Sequence, residues 1–248
     1  MLSASRLLAS ASDDCTAKLW DPRVRGATST FEHDYQATSV ALGDDVLYSA
    51  GLESTIDAWD IKTGKRLYSM KGHTDTITSL QLHPKGTHLL SNSMDGSLRS
   101  WDVQPFVTGK RHCKTFLGGS HNAEKGLLKC SWSRDGKMVS GGSADRMVHI
   151  WDELTSEEVS ECREMSWEVQ KRWDDSKSKR PQPLGLSYAF LTPLLCALHC
   201  VWSLRRLGTQ LYVLPGHTGA VNCVAFHPVE NVVASGSSDN SIFVGELG

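Results

Sequence analysis

The stretch Leu89-Leu90-Ser91-Asn92-Ser93-Met94-Asp95-Gly96-Ser97-Leu98-Arg99-Ser100-Trp101-Asp102 decides how the rest of the chain is read. An apolar pair and a cluster of small residues lead to an aspartate. A glycine follows, and a second run ends in Trp-Asp. Strand, tight turn, strand is a hairpin pattern, because Asp-Gly accepts the backbone angles of a short turn. The pattern recurs. An acidic residue stands six positions before a Trp-Asp pair at Asp14 and Trp20-Asp21, Glu53 and Trp59-Asp60, Asp95 and Trp101-Asp102, and Asp145 and Trp151-Asp152. A fifth copy, Asp239 and Gly245-Glu246, keeps the spacing without the tryptophan. Successive closing positions lie 39, 42 and 50 residues apart, and the last interval jumps to 94.

A period near 40 residues built of short strands, with Trp-Asp at its close, predicts an all-β propeller array. Gly72-His73 and Gly216-His217 stand upstream of their turns, with Gly118-Gly119-Ser120-His121 as a looser version. These motifs resemble the WD40 repeat family. The resemblance implies a structural role for the histidines. In such a blade a His, the turn Asp, a strand Ser or Thr and the Trp indole form one buried hydrogen-bond chain, since each polar group needs a partner once water is excluded. The expected sets are His73, Ser91 or Ser93, Asp95 and Trp101, then His121, Asp145 and Trp151. His217 and Asp239 lack their Trp, and Glu53 with Trp59 has no Gly-His, so those two blades are expected to be weaker. A Ser-His-Asp hydrolase triad is the rival reading. It fails on recurrence, because a triad occurs once and this set repeats.

Three stretches narrow the resemblance to the spliceosomal branch of the family, the WD-repeat subunits of the U5 small nuclear ribonucleoprotein. They are residues 90–106, residues 121–133 (His121-Asn122-Ala123-Glu124-Lys125-Gly126-Leu127-Leu128-Lys129-Cys130-Ser131-Trp132-Ser133) and the ending Phe243-Val244-Gly245-Glu246-Leu247. The middle stretch is an insertion ahead of a strand, which generic repeat similarity does not produce. The resemblance covers residues 6–152 and 211–248 and implies seven blades. Residues 1–21 supply only the later strands of one blade. The expectation is therefore an incomplete propeller of about four and a half blades, truncated at its front, with exposed sheet edges.

The long interval has its own reading. Trp59 to Gly72 is 13 residues, whereas Trp151 to Gly216 is 65. Removing residues 159–210 restores the shorter connection and an outer strand, Leu211-Tyr212-Val213-Leu214. The expected organisation is thus propeller over 1–158, a poorly ordered insertion over 159–210 and a last blade over 211–248. Val159-Ser160 can be encoded GTGAGT, the preferred start of an intron, and Gln210 can be encoded CAG, the preferred end. Leu184 to Leu204, rich in Leu, Phe, Pro, Ser and Cys, fits a pyrimidine tract. Rival readings carry less. This 21-residue uncharged run is long enough for a membrane span but holds Pro193 at its middle. Cys196, His199 and Cys200 have poor spacing and number for zinc. Glu157 to Arg172 holds good helix formers.

The chain's net charge is −2, and residues 159–210 carry 8 basic against 5 acidic residues, leaving the propeller text at −5. A protein that grips RNA phosphates carries a basic face. Protein partners are therefore expected, with RNA contact secondary and no membrane association. Lys110-Arg111-His112 reads as solvated surface. Seven scattered cysteines without a CxxC pair suit a reducing compartment. No phosphate loop, placed nucleophile or metal framework is visible, so no enzyme activity, cofactor or metal is expected. A propeller presents loops on two faces, a platform for docking proteins. The resemblance implies a nuclear scaffold that contacts large U5 and spliceosomal proteins during pre-mRNA splicing. The alternative is an adaptor of another complex, such as a ubiquitin-ligase substrate receptor, which would present an Arg-lined pocket.

If 159–210 is a translated intron, sequencing transcripts across Val159 and Gln210 will find a spliced form 156 nucleotides shorter, with GT and AG at the genomic edges. Transcripts that all keep the segment overturn that origin.

Overall fold

The computed structural model describes residues 7–121, 126–153 and 209–247. Within them the chain forms eighteen strands and no helix. All pairing is antiparallel, and the strands make five separate sheets. The first sheet holds β1 (Leu8–Ser12), β2 (Thr16–Trp20) and β3 (Ala27–Glu32). The second holds β4 (Ala37–Leu42), β5 (Val46–Gly51), β6 (Thr55–Asp60) and β7 (Arg66–Lys71). The third holds β8 (Ile77–Leu82), β9 (His88–Ser93), β10 (Ser97–Asp102) and β11 (His112–Leu117). The fourth holds β12 (Cys130–Trp132), β13 (Met138–Gly141), β14 (Val148–Asp152) and β15 (Thr209–Leu214). The fifth holds β16 (Val221–Phe226), β17 (Val232–Ser237) and β18 (Ile242–Glu246). Three sheets of four strands and two of three make an incomplete propeller of four and a half blades, as the repeat predicts.

The turns within the blades follow from the acidic residue. Asp14, Asp95, Asp145 and Asp239 each accept the backbone N–H two residues on, at 3.0, 2.9, 2.9 and 2.9 Å. The residue after each carboxylate then takes a left-handed backbone: Cys15 at φ 65°, Gly96 at 77°, Arg146 at 73° and Asn240 at 64°. Side-chain capping of the turn is what lets three non-glycine residues hold that conformation. The Asp of Trp-Asp caps the next turn in the same way. Asp21, Asp60 and Asp102 accept the N–H of Arg23, Lys62 and Gln104 at 3.0, 2.9 and 2.9 Å.

Each closing Trp sits at a bulge. The register shifts between Leu19 and Trp20, Ala58 and Trp59, Ser100 and Trp101, and Ile150 and Trp151. A bulge adds twist and re-aims the side chain. The indoles of the second, third and fourth sheets turn back against the sheet before. Trp59 packs with Leu19 and Phe31, Trp101 with Ile56 and Ile77, and Trp151 with Leu98 and Phe116. The fifth sheet closes on Val148, Ile150, Val221, Val224 and Val233 without a Trp. Truncating a buried Trp to Ala costs about 3–5 kcal/mol, so these anchors dominate blade-to-blade cohesion. In β18, Ile242, Phe243 and Val244 are instead exposed.

Two boundaries differ from the sequence reading. β15 begins at Thr209, two residues inside the segment read as an insertion, because Asp152 pairs with Thr209 and Trp151 with Gln210. Ladder pairing is a backbone property, so these residues serve as well as any. β15 also completes the fourth sheet rather than the fifth, so residues 211–214 do not belong to the last blade's sheet. The apolar run Leu184 to Leu204, the Cys196–Cys200 pair and the Glu157 to Arg172 stretch lie outside the described residues. Among the described residues no helix is long and apolar enough to cross a membrane.

Candidate functional site

The third blade makes the full hydrogen-bond chain. Trp101 Nε1 donates to Ser91 Oγ at 2.8 Å, Ser91 Oγ lies 2.7 Å from His73 Nε2, and His73 Nδ1 lies 2.8 Å from Asp95 Oδ2. A carboxylate only accepts, so Nδ1 carries the proton and Nε2 accepts from the serine hydroxyl. Asp95 is further held by the N–H and hydroxyl of Ser97, at 2.9 and 2.6 Å. Ser91 and the His73 side chain have 0% exposure. The polarity is that of a hydrolase triad, but no substrate can reach Ser91 Oγ in this fold. Its acceptor is committed to an indole, and the set acts as a clamp. Gly72 precedes His73 because a Cβ there would lie 2.8 Å from Trp101 Cη2.

Ser93 is not in the chain. It donates to the Asp75 carbonyl at 2.9 Å and accepts the Asp95 N–H at 3.2 Å. It shares a strand face with Ser91 but stands at the end of the strand, where the turn uses it. The relay serine stands ten residues before the closing position, which the repeat spacing contains but the sequence reading did not extract. It is Ser10 in the first blade, Ser49 in the second and Ser235 in the fifth. Trp20 donates to Ser10 at 2.8 Å, and Trp59 to Ser49 at 2.7 Å. His217 reaches Ser235 at 2.8 Å and Asp239 at 3.2 Å, and Phe243 packs on the His217 ring at 4.5 Å where the Trp is missing.

The fourth blade corrects the expected set of His121, Asp145 and Trp151. His121 reaches neither partner, and its Nδ1 is buried without one. Asp145 instead faces His149 Nε2 at 2.7 Å, and Trp151 donates to the Leu117 carbonyl at 3.0 Å. The cause is Gly141, which occupies the relay position and has no hydroxyl. A Cβ there would lie 3.0 Å from Leu98 Cδ1. Gln210 completes the substitute arrangement, with Nε2 at 2.5 Å from His149 Nδ1.

Burial pushes the His73 imidazole below its ordinary 6.5, against the pull of Asp95. Asp95 is held well below 3.8, the hydrogen bonds from His73 and Ser97 outweighing the burial that opposes them. Asp145 and Asp239 are lowered too, the first by Ser143 and His149 against burial, the second chiefly by Ser241. Glu153 runs the other way, pushed up to about 7 by burial, with Oε1 bonded to Ser100 and Oε2 lacking a partner. Among the described residues no group of His, Cys, Asp and Glu is arranged to hold a metal.

The family profile described as "WD domain, G-beta repeat" matches residues 2–21, 64–102, 111–152 and 208–244. It passes over the second hairpin, the blade without Gly-His. The human "U5 small nuclear ribonucleoprotein 40 kDa protein" is 37% identical over 244 residues, 98% of this chain and 54% of that protein. The Dictyostelium discoideum protein of the same description is 37% identical over 244 residues, 97% of this chain and 54% of its own. The Schizosaccharomyces pombe "Pre-mRNA-splicing factor cwf17" is 34% identical over 245 residues, 98% of this chain and 56% of its own. The chain spans about half the length of these curated relatives.

Removing the Ser91 hydroxyl leaves two buried groups unpaired, His73 Nε2 and Trp101 Nε1. Ser91→Ala is therefore expected to cost about 2–4 kcal/mol in chemical denaturation, and Ser93→Ala about half of that. Acid dependence follows from the carboxylates. A group whose folded pKa is depressed contributes stability above its unfolded pKa and loses it as pH falls. Between pH 7 and 4.5 the titrations of His73 and Glu153 oppose each other. Below 3.8 the lowered Asp95, Asp145 and Asp239 act together. The thermal midpoint is expected to fall steeply there, and less steeply in Asp95→Asn.

Proposed function

The chain belongs to the WD40 repeat family, and on that premise we propose that it is a non-enzymatic docking scaffold of the U5 small nuclear ribonucleoprotein, acting in the nucleus in pre-mRNA splicing. One observation carries the reading. Similarity to U5 and pre-mRNA-splicing proteins of human, Dictyostelium and fission yeast runs through 97–98% of this chain.

The physics of the fold supports a scaffold. The polar chemistry most resembling a catalyst is consumed in holding Trp101. Blade cores are rigid, and what remains for recognition is loops and exposed apolar side chains such as Phe106, Val229 and Ile242, at 95, 78 and 77% exposure. The acidic balance of the propeller text favours protein partners, with RNA contact secondary.

Affinity purification of the tagged chain from nuclear extract is expected to recover large U5 proteins. Recovery of a ubiquitin-ligase scaffold in their place overturns the reading.

A further inference from the structure

The first blade carries a hydroxyl where its sisters do not. Beside each closing Trp the outer strand holds one extra residue. In β3, Ser29 pairs with Leu19 and Ala27 with Trp20, which leaves Thr28 as the bulged residue. The corresponding residues of β7, β11 and β15 are Leu67, Cys113 and Leu211. Thr28 is exposed, and among the described residues no side-chain hydrogen bond engages its hydroxyl. β3 is also an edge of its sheet, in the order β1-β2-β3.

The residues before Thr28 are basic and solvated. Arg23-Val24-Arg25-Gly26-Ala27 lead into it, and all five are exposed. Among the described residues the turn over 22–26 is tied by Asp21 alone. The Asp21 carboxylate pairs with the Arg23 guanidinium at 2.7 Å and accepts the Arg23 N–H at 3.0 Å, and its carbonyl accepts the Val24 N–H at 3.0 Å. The Arg23 side chain is 74% exposed, and an ion pair so exposed holds weakly. Gly26 has a left-handed φ of 91°, and a Cβ placed there would meet no atom within 4 Å. Little in the fold opposes straightening this turn.

We infer that Thr28 is a phosphoacceptor site for a basophilic protein kinase. An extended chain rises about 3.3 Å per residue and alternates its faces, so Arg25 and Arg23 share one side, about 10 and 17 Å before Thr28. A kinase groove with carboxylates at those two distances reads both guanidiniums through bidentate ion pairs. Thr28 Oγ1 attacks the γ-phosphorus of magnesium-bound ATP. A new O–P bond forms, the bond from that phosphorus to the β,γ-bridging oxygen breaks, and ADP leaves with the electron pair. The hydroxyl proton passes to the catalytic aspartate of the kinase. The phosphate carries a charge of roughly −1.5 to −2 near pH 7, which offsets the two arginines beside it. The inference concerns this rim of the first blade and holds whichever complex the chain joins.

The test incubates the full chain with magnesium-ATP and a kinase that selects arginine three and five residues before the acceptor. An acidophilic kinase is the control, and tandem mass spectrometry locates the phosphate. Phosphate on Thr28 from the basophilic enzyme alone is expected. The rate at Thr28 should fall about tenfold in Arg25→Ala, which removes one charge-paired contact with the kinase. Thr28→Val keeps the β-branched shape and should lose that phosphate only. Unchanged thermal midpoints of the two variants will confirm an intact blade. A folded chain left unmodified at Thr28, equal modification by the acidophilic kinase, or an undiminished rate in folded Arg25→Ala overturns the inference.

Discussion

A buried indole N–H must have an acceptor, and the rest of each blade is arranged around that requirement. The closing tryptophan is the largest apolar group available to join one sheet to the next, and Trp101 and Trp151 are fully or almost fully removed from water. Their burial is favourable only if the N–H is bonded, since an orphaned donor would cost about 1–3 kcal/mol. A serine ten residues earlier, on the neighbouring strand, meets the need in the first three blades. That serine's own hydrogen then needs an acceptor, which calls for a histidine. The histidine's second nitrogen needs a carboxylate, which the turn already holds. In the third blade one apolar anchor thus fixes four polar residues in succession.

The carboxylate ties the two levels of structure together. Asp95 caps its own turn through Oδ1 and receives His73 through Oδ2. Hairpin geometry and blade packing are therefore coupled through a single side chain. The first blade, of which the chain gives the later strands, has the two halves apart. Asp14 caps its turn and Ser10 accepts from Trp20, and among the described residues no hydrogen bond connects the two halves. The fifth shows the converse, with His217, Ser235 and Asp239 joined and no indole to serve.

The architecture was legible because spacing is a backbone property. A carboxylate six residues before Trp-Asp gave the hairpins, their number and the incomplete array. The third blade's chain was legible as well, except for the choice between its two serines. What could not be read was substitution by residues from elsewhere in the fold. Nothing local to His121 announces that His149 will take Asp145, or that the Leu117 carbonyl will take the Trp151 indole. Those outcomes depend on Gly141 and on Leu98 of the adjoining sheet filling the space a serine would need. The start of β15 was misplaced for a related reason. Codon arithmetic divides the text at Gln210, whereas hydrogen bonding extends the strand to Thr209.

A repeat array lets each departure be judged against its sister blades, and the two main departures here resolve differently. In the fourth blade the missing hydroxyl is compensated from within. Asp145, Trp151 and His149 all find partners, and the unmet demand falls on His121, whose Nδ1 is buried without one. In the second blade Asp57 stands four residues beyond the turn carboxylate, where the first, third and fourth blades have the bases Lys18, Arg99 and His149, and compensation is partial. Ser69 bonds it, the Arg66 guanidinium and the His33 ring stand beyond hydrogen-bond distance, and the second nitrogen of that ring has no partner.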